Sequence, residues 1–276
     1  MTQARKAEIF RQLHYGPDVL LLANVWDCFS ARVVELAGYP AIATSSAGVA
    51  FALGYADGQR IPMQEMAAAV GRIARLVEVP VTADLEGGYD DIGATAAALI
   101  DSGAVGLNLE DVETGDIRTL VPVDRQCDKI RALRRIGSAR GVEIVVNART
   151  DVFLAQIGEP GSRFEHAVER LGAYIGAGAD CVFVPGVADE ATIVRLVETL
   201  RCPLNVLAVA GTPPVARLKE LGVRRVSVGS GLARSAIGHA RRVAEAIRDS
   251  GGFDAMLESA IPYAEANRMF EKAQTA

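Results

Sequence analysis

A chain of 276 residues, 50% hydrophobic and 23% charged, carries too much apolar surface and too little net repulsion to remain disordered. Its net charge of −5, with acids and bases interspersed, excludes the basic face a nucleic-acid binder needs. The four cysteines (Cys28, Cys127, Cys181, Cys202) form no CxxC pair and read as reduced thiols. The polar opening MTQARKAEIFRQL lacks a signal core, and no later run reaches the ~20 apolar residues of a membrane span, so a cytoplasmic location without membrane contact is expected.

Along the chain, short apolar runs fall at residues 20–23, 41–44, 81–83, 106–109, 144–147, 181–184, 204–207 and 225–228. Near-continuous runs, rather than alternating ones, suit parallel strands buried on both faces. Between them, apolar residues recur at helical spacing over 64–77, 91–102, 124–140, 164–177, 189–200 and 213–221. Many of these stretches end in a glycine turn that launches the next strand. Eight β-then-α units without a linker predict a single α/β domain over residues 1–276, a (β/α)8 TIM barrel in preference to an open doubly wound sheet. A helical tail, about 237–276, follows the eighth strand: a stretch at 237–248, a Gly251-Gly252 break, then a helical segment over 253–272. It is longer than a barrel needs and is expected to pack on a neighbouring subunit, giving a homo-oligomer.

Reactive groups of a barrel sit where strands end and βα loops begin. The second strand runs into Ser45, Ser46, Ala47 and Gly48, with Asp57 in its loop; Asp84 and Glu86 follow the third, Glu110 and Asp111 the fourth. The fifth ends at Asn147 and Arg149, and the seventh carries Asn205. Asp57, Asp84, Glu86 and Glu110 thus converge on one mouth, where they repel one another unless a cation neutralises them. Oxygen donors without His or Cys suit Mg2+, or Mn2+, rather than zinc; Mg2+ keeps several waters, so one direct carboxylate and several water-mediated ones are expected.

Each acid also has a structural explanation. Asp57 in an Ala-Asp-Gly turn serves equally as a turn former, and Glu110-Asp111 as a helix start. For Asp84 and Glu86 this is weaker, because the two following glycines leave backbone space for a ligand. Arg149 at the end of a buried strand needs an anionic partner. The small residues Ser45 to Gly48 let backbone N–H groups approach an anion. His14, His166 and His239 lie in helical segments and read as surface or interface residues. No cysteine sits at a strand end, and no GxGxxG or GxxxxGK[ST] pattern follows an early strand.

The segments SSAGVA (45–50), LGYADG (53–58), PVTADLEGGY (80–89), GLNLED (106–111) and NARTDVF (147–153) resemble, in this order, the isocitrate lyase/phosphoenolpyruvate mutase superfamily, nearest its short methylisocitrate lyase-like branch. The likeness runs from Asn24 to about Arg234. It implies a barrel whose last helix is swapped with a neighbour, Mg2+, and a small α-oxo or 2-hydroxy acid substrate. By the same resemblance Asp84 is the direct metal ligand, with Asp57, Glu86 and Glu110 acting through water; Glu86 stands where many members have Asp. Ser45 and the amides of Ser46 and Ala47 would hold the substrate carboxylate, Arg149 the substrate oxygens, and Asn205 and Arg234 a distal carboxylate.

The chain also departs from that pattern. After Glu110-Asp111 the lyases have a loop with lysine, cysteine and histidine, and phosphonate-handling members have lysine and asparagine; here it reads VETGDIRTL. Where tricarboxylate lyases have a glutamate after strand six, this chain has Gly186. The reading is a Mg2+-dependent lyase that cleaves or decarboxylates a small oxo acid through a metal-stabilised enolate, with Arg149, Asp57 and Glu110 in the chemistry and a homodimer or homotetramer as the assembly. Phosphonopyruvate-type P–C chemistry and non-catalytic oxo-acid binding are the alternatives.

Overall fold

The computed structural model describes residues 1–271. Helix α1 (Gln3–Leu13) precedes β1 (Leu20–Leu22), β2 (Asn24–Val25), α2 (Cys28–Leu36), β3 (Ile42–Thr44), α3 (Ser46–Ala52), α4 (Met63–Leu76), β4 (Val81–Asp84), α5 (Ile92–Asp101) and β5 (Gly106–Leu109). There follow β6 (Val112–Glu113), β7 (Asp116–Leu120), α6 (Val123–Ala139), β8 (Val145–Arg149), α7 (Arg163–Gly176), β9 (Cys181–Phe183) and α8 (Glu190–Leu200). The described residues end with β10 (Leu204–Leu207), α9 (Val215–Glu220), β11 (Arg225–Ser227), α10 (Gly231–Ser250), α11 (Asp254–Leu257) and α12 (Tyr263–Phe270).

The apolar runs became strands because both faces are covered: every residue of β3, β5 and β9 is buried. Parallel pairs such as Ala83↔Leu107, Leu107↔Val146 and Val206↔Val226 carry the sheet round in the order β1-β11-β10-β9-β8-β5-β4-β3-β2. β1 and β2 are one strand interrupted at Ala23, so the two ends of that order are joined by the chain. The sheet therefore closes on itself as the predicted eight-position barrel. Asn24 secures the seam: its Oδ1 accepts from the Val228 and Gly229 N–H groups at 2.9 and 3.0 Å, and its Nδ2 donates to the Thr44 carbonyl at 2.8 Å. The surrounding helices bury one stripe each, as α4 does with Met66, Val70 and Ile73.

Three features differ from the sequence expectation. The stretch after Glu110 is not an irregular loop but an antiparallel hairpin, β6–β7, whose second strand is almost wholly exposed and so lacks the apolar signature of the barrel strands. The tail over 253–272 is two short helices, broken where Pro262 opens α12; Lys272 lies outside the described residues. Phe253, Leu257 and Tyr263 of this tail are 58%, 62% and 82% exposed. His14, expected at a surface, is buried instead, because α1 closes the floor of the barrel and Phe10 and His14 point into it. His14 Nδ1–H donates to the Phe10 carbonyl at 2.9 Å, while burial, and then the charge of Arg225, push its pKa down to about 3. No helix among the described residues is long and apolar enough to cross a membrane.

Candidate active site

A cavity of about 340 Å3 opens at the C-terminal ends of the barrel strands. Ser45, Ser46, Ala47, Asp57, Asp84, Glu86, Glu110 and Arg149 all line it. The walls beyond them are partly apolar, including Val112, Ile117, Leu154 and Phe183.

Asp84 ends β4 and is held from both sides. Ser46 donates to its Oδ2 through Oγ at 2.9 Å and more weakly through its N–H at 3.3 Å, and Asn108 Nδ2 approaches its Oδ1 at 3.5 Å. The Ser46 amide, expected at a substrate carboxylate, thus faces Asp84. Two residues on, Glu86 adopts φ +51°, a conformation a glutamate rarely takes. That turn aims a carboxylate that is 6% exposed into the cavity, and its Oε1 meets no hydrogen-bond donor among the described residues. Burial, reinforced by the charges of Asp84 and Asp57, pushes its pKa up to about 8. Of the two glycines that follow, Gly87 lines the cavity, as expected of backbone space for a ligand, while Gly88 serves packing. Gly88 sits at φ +89°, and a Cβ there would stand 2.8 Å from Ile92 and 2.9 Å from Leu109. Asp57, at the rim, is also held above its ordinary range, first by the protein crowding its carboxyl and then by Asp84.

Arg149 finds its anionic partners at both edges. Its Nε and Nη2 donate to Asp151 at 2.5 and 2.8 Å, and its Nη1 donates to Glu110 at 2.5 Å. Burial alone would lower its proton affinity; Glu110 and Asp151 outweigh that and keep it charged. Burial pushes Glu110 upward, opposed by Arg149 and reinforced by Asp84, Asp151 and Glu86. Behind the clamp, Asp111 is fully buried; it accepts from the Asp151 N–H at 3.0 Å, from Arg170 Nε at 2.7 Å and from the Tyr174 hydroxyl at 2.8 Å. Asp111 is thus no helix start but the anchor of the loop that carries Asp151.

Asn205 and Arg234 do not reach the cavity. Asn205 is buried within the barrel, its Nδ2 donating to Ser227 Oγ at 3.2 Å, and Arg234 lies exposed on α10. The structure adds residues the sequence reading did not single out. Asp151 shows a signal in retrospect, two positions after a strand-end arginine. Asn108 shows one too, an amide within the buried run GLNL, since such a group must find partners. The hairpin tip leans over the mouth, where Gln59 Nε2 donates to Thr114 Oγ1 at 2.7 Å.

An acid-lined mouth on a closed eight-position barrel defines an α/β-barrel enzyme with a polar, anion-rich centre. The chain belongs to the phosphoenolpyruvate phosphomutase family, whose model it matches over residues 10–248, and with it to the isocitrate lyase/phosphoenolpyruvate mutase superfamily. It is 34% identical over 258 residues to an uncharacterized protein of Mycobacterium tuberculosis, covering 93% of each chain. It is 31% identical over 241 residues to the oxaloacetate decarboxylase of Pseudomonas fluorescens, covering 83% of this chain and 80% of that one. Among solved structures, 2,3-dimethylmalate lyase superposes with a TM-score of 0.85 at 27% identity, over 96% of this chain and 94% of the other. The chain is an enzyme of this carbon–carbon lyase type.

Proposed function

We propose that the chain is a Mg2+-dependent lyase that cleaves or decarboxylates a small α-oxo or 2-hydroxy acid. The observation that carries this reading is the convergence of Asp57, Asp84, Glu86 and Glu110 on one cavity, with a buried Glu86 oxygen that meets no donor among the described residues. An all-oxygen, anionic donor set fits a hard divalent cation. Mg2+ keeps several of its waters, so the carboxylates need not close on the ion as a cage. Asp84 would hold it directly, and Asp57, Glu86 and Glu110 through water. Bound there, such an ion would supply Lewis acidity towards the oxygens of the acid.

The protein's own groups supply the rest. Arg149 stays charged and faces the cavity, so it stabilises negative charge that grows on a ligand oxygen as the C–C bond breaks. The Asp151 fork fixes its plane, and the Glu110 contact is the one a ligand oxygen can share. Ser45 and Ala47, at the start of α3, bring small side chains and backbone to the carboxylate end of the ligand, while Ser46 is turned to Asp84. Loss of CO2 from an oxaloacetate-like acid leaves an enolate that takes its proton from water, so the hairpin's lack of cysteine, lysine and histidine does not bar it. The relatives named as oxaloacetate decarboxylase and dimethylmalate lyase support this class of substrate. The exposed apolar tail supports a homodimer or homotetramer, and we place the protein in the cytoplasm.

The test is a screen of oxaloacetate, methylisocitrate, isocitrate, dimethylmalate and phosphonopyruvate with and without Mg2+, following pyruvate, glyoxylate and succinate. Metal-dependent C–C cleavage of one of them supports the proposal. P–C cleavage alone, or ligand-induced thermal stabilisation without product from any of them, contradicts it.

A further inference from the structure

Arg225, at the start of β11, is completely buried inside the barrel. Among the described residues no carboxylate pairs with it, and its Nε has no hydrogen-bond partner. A buried charge without a counter-ion is costly, so its surroundings must justify it. Burial accordingly lowers its proton affinity. The groups it touches are neutral and electron-rich, while Cys181 and, beyond the Asn108 amide, Asp84 offset part of that loss. Its guanidinium lies 5.8 Å from the Phe10 ring centre, and its Nη1 is 3.5 Å from His14 Nε2. Burial and the charge of Arg225 keep the His14 ring uncharged, and with its Nδ1–H donating to a carbonyl, Nε2 carries the lone pair.

The strongest contact lies on the cavity side. Arg225 Nη2 donates to Asn108 Oδ1 at 3.0 Å, and Asn147 Nδ2 donates to the same oxygen at 2.8 Å. Two donors on one amide oxygen fix which end of the amide is which. The NH2 end therefore faces Asp84 Oδ1, 3.5 Å away, and Asn108 lines the cavity. That contact is long and weak, so an amide hydrogen is free to serve a ligand oxygen. The cation behind the amide polarises it and strengthens it as a donor.

We infer that Asn108 is a substrate-binding donor at the cavity floor, aimed at an oxygen of the bound oxo acid, and that Arg225 is a positioning residue acting through it. This rests on the oxo-acid reading above, and the experiment separates the two. Full-length protein is titrated calorimetrically with Mn2+, then with oxalate, whose four oxygens mimic the carboxylate and 2-oxyanion of an enolate. N108A and R225M are each expected to lose about tenfold or more in oxalate affinity. Mn2+ affinity should stay within about threefold, because Asp84 keeps its Ser46 contacts. The double variant is expected to bind oxalate no more weakly than N108A, since Arg225 works only through that amide. A barrel-filling role for Arg225 would instead lower thermal stability and leave oxalate affinity unchanged, which overturns the inference, as would losses that multiply in the double variant. Should R225M fail to fold, R225K with and without N108A makes the same comparison. A wild-type protein that binds no oxalate, with or without Mn2+, overturns the oxo-acid reading itself.

Discussion

Arg149 illustrates how much of the site is decided by single side chains. Its guanidinium satisfies two carboxylates at once, a geometry that a lysine ammonium cannot reproduce. R149K is therefore expected to lower kcat/KM by about 10²-fold, read by steady-state assay on the substrate found in the screen. Asp111 lies one step behind. D111N would leave Arg170 buried without its anion and is expected to cost on the order of 3–5 kcal/mol, measured by urea unfolding. His14 gives a pH signature. Folded, it titrates at about 3, against 6.5 when free, so below pH 6.5 the unfolded chain binds a proton that the folded one refuses. Stability is complete above 6.5 and is lost as pH falls towards 3. H14Q should flatten that loss by roughly 2–3 kcal/mol between pH 7 and 4, seen in urea titrations at each pH.

At the scale of elements, legibility followed burial. Barrel strands were readable because they are apolar on both faces, whereas β7 is exposed along nearly its whole length and has no such pattern. The carboxylates were readable because strand ends are where a barrel keeps its reactive groups. Asn205 and Arg234 lie off the cavity, which the resemblance could not show, since a position in the chain does not say whether a side chain reaches the mouth, points into the barrel or faces outward along α10. Arg225 passed unnoticed within a run taken as strand, although the argument applied to Arg149 applied there too. Gly186 shows a departure whose reason only the fold supplies. At φ +91°, a Cβ there would lie 2.9 Å from the Leu154 backbone nitrogen, so the loop carrying Leu154 and Ala155 leaves no room for a side chain. G186E should lose about 1–3 kcal/mol of stability without gaining turnover of a tricarboxylate, checked by melting and by isocitrate assay.

For the whole molecule, closure through a first strand shared between β1 and β2 places eight strand ends around one mouth, and with them the four carboxylates. The tail that follows carries exposed aromatic and aliphatic side chains, a surface that suits a second copy. Light scattering is expected to show a homo-oligomer, and removal of residues 251–276 to shift it towards monomer. The proposed metal site at the mouth is tested most directly by Mn2+ titration of wild type and D84A, followed by electron paramagnetic resonance. The wild type should bind about one ion per chain, and D84A should bind it about 10²-fold more weakly or not at all. Equal Mn2+ affinity in the two proteins, or none in the wild type, would contradict a metal site built on Asp84.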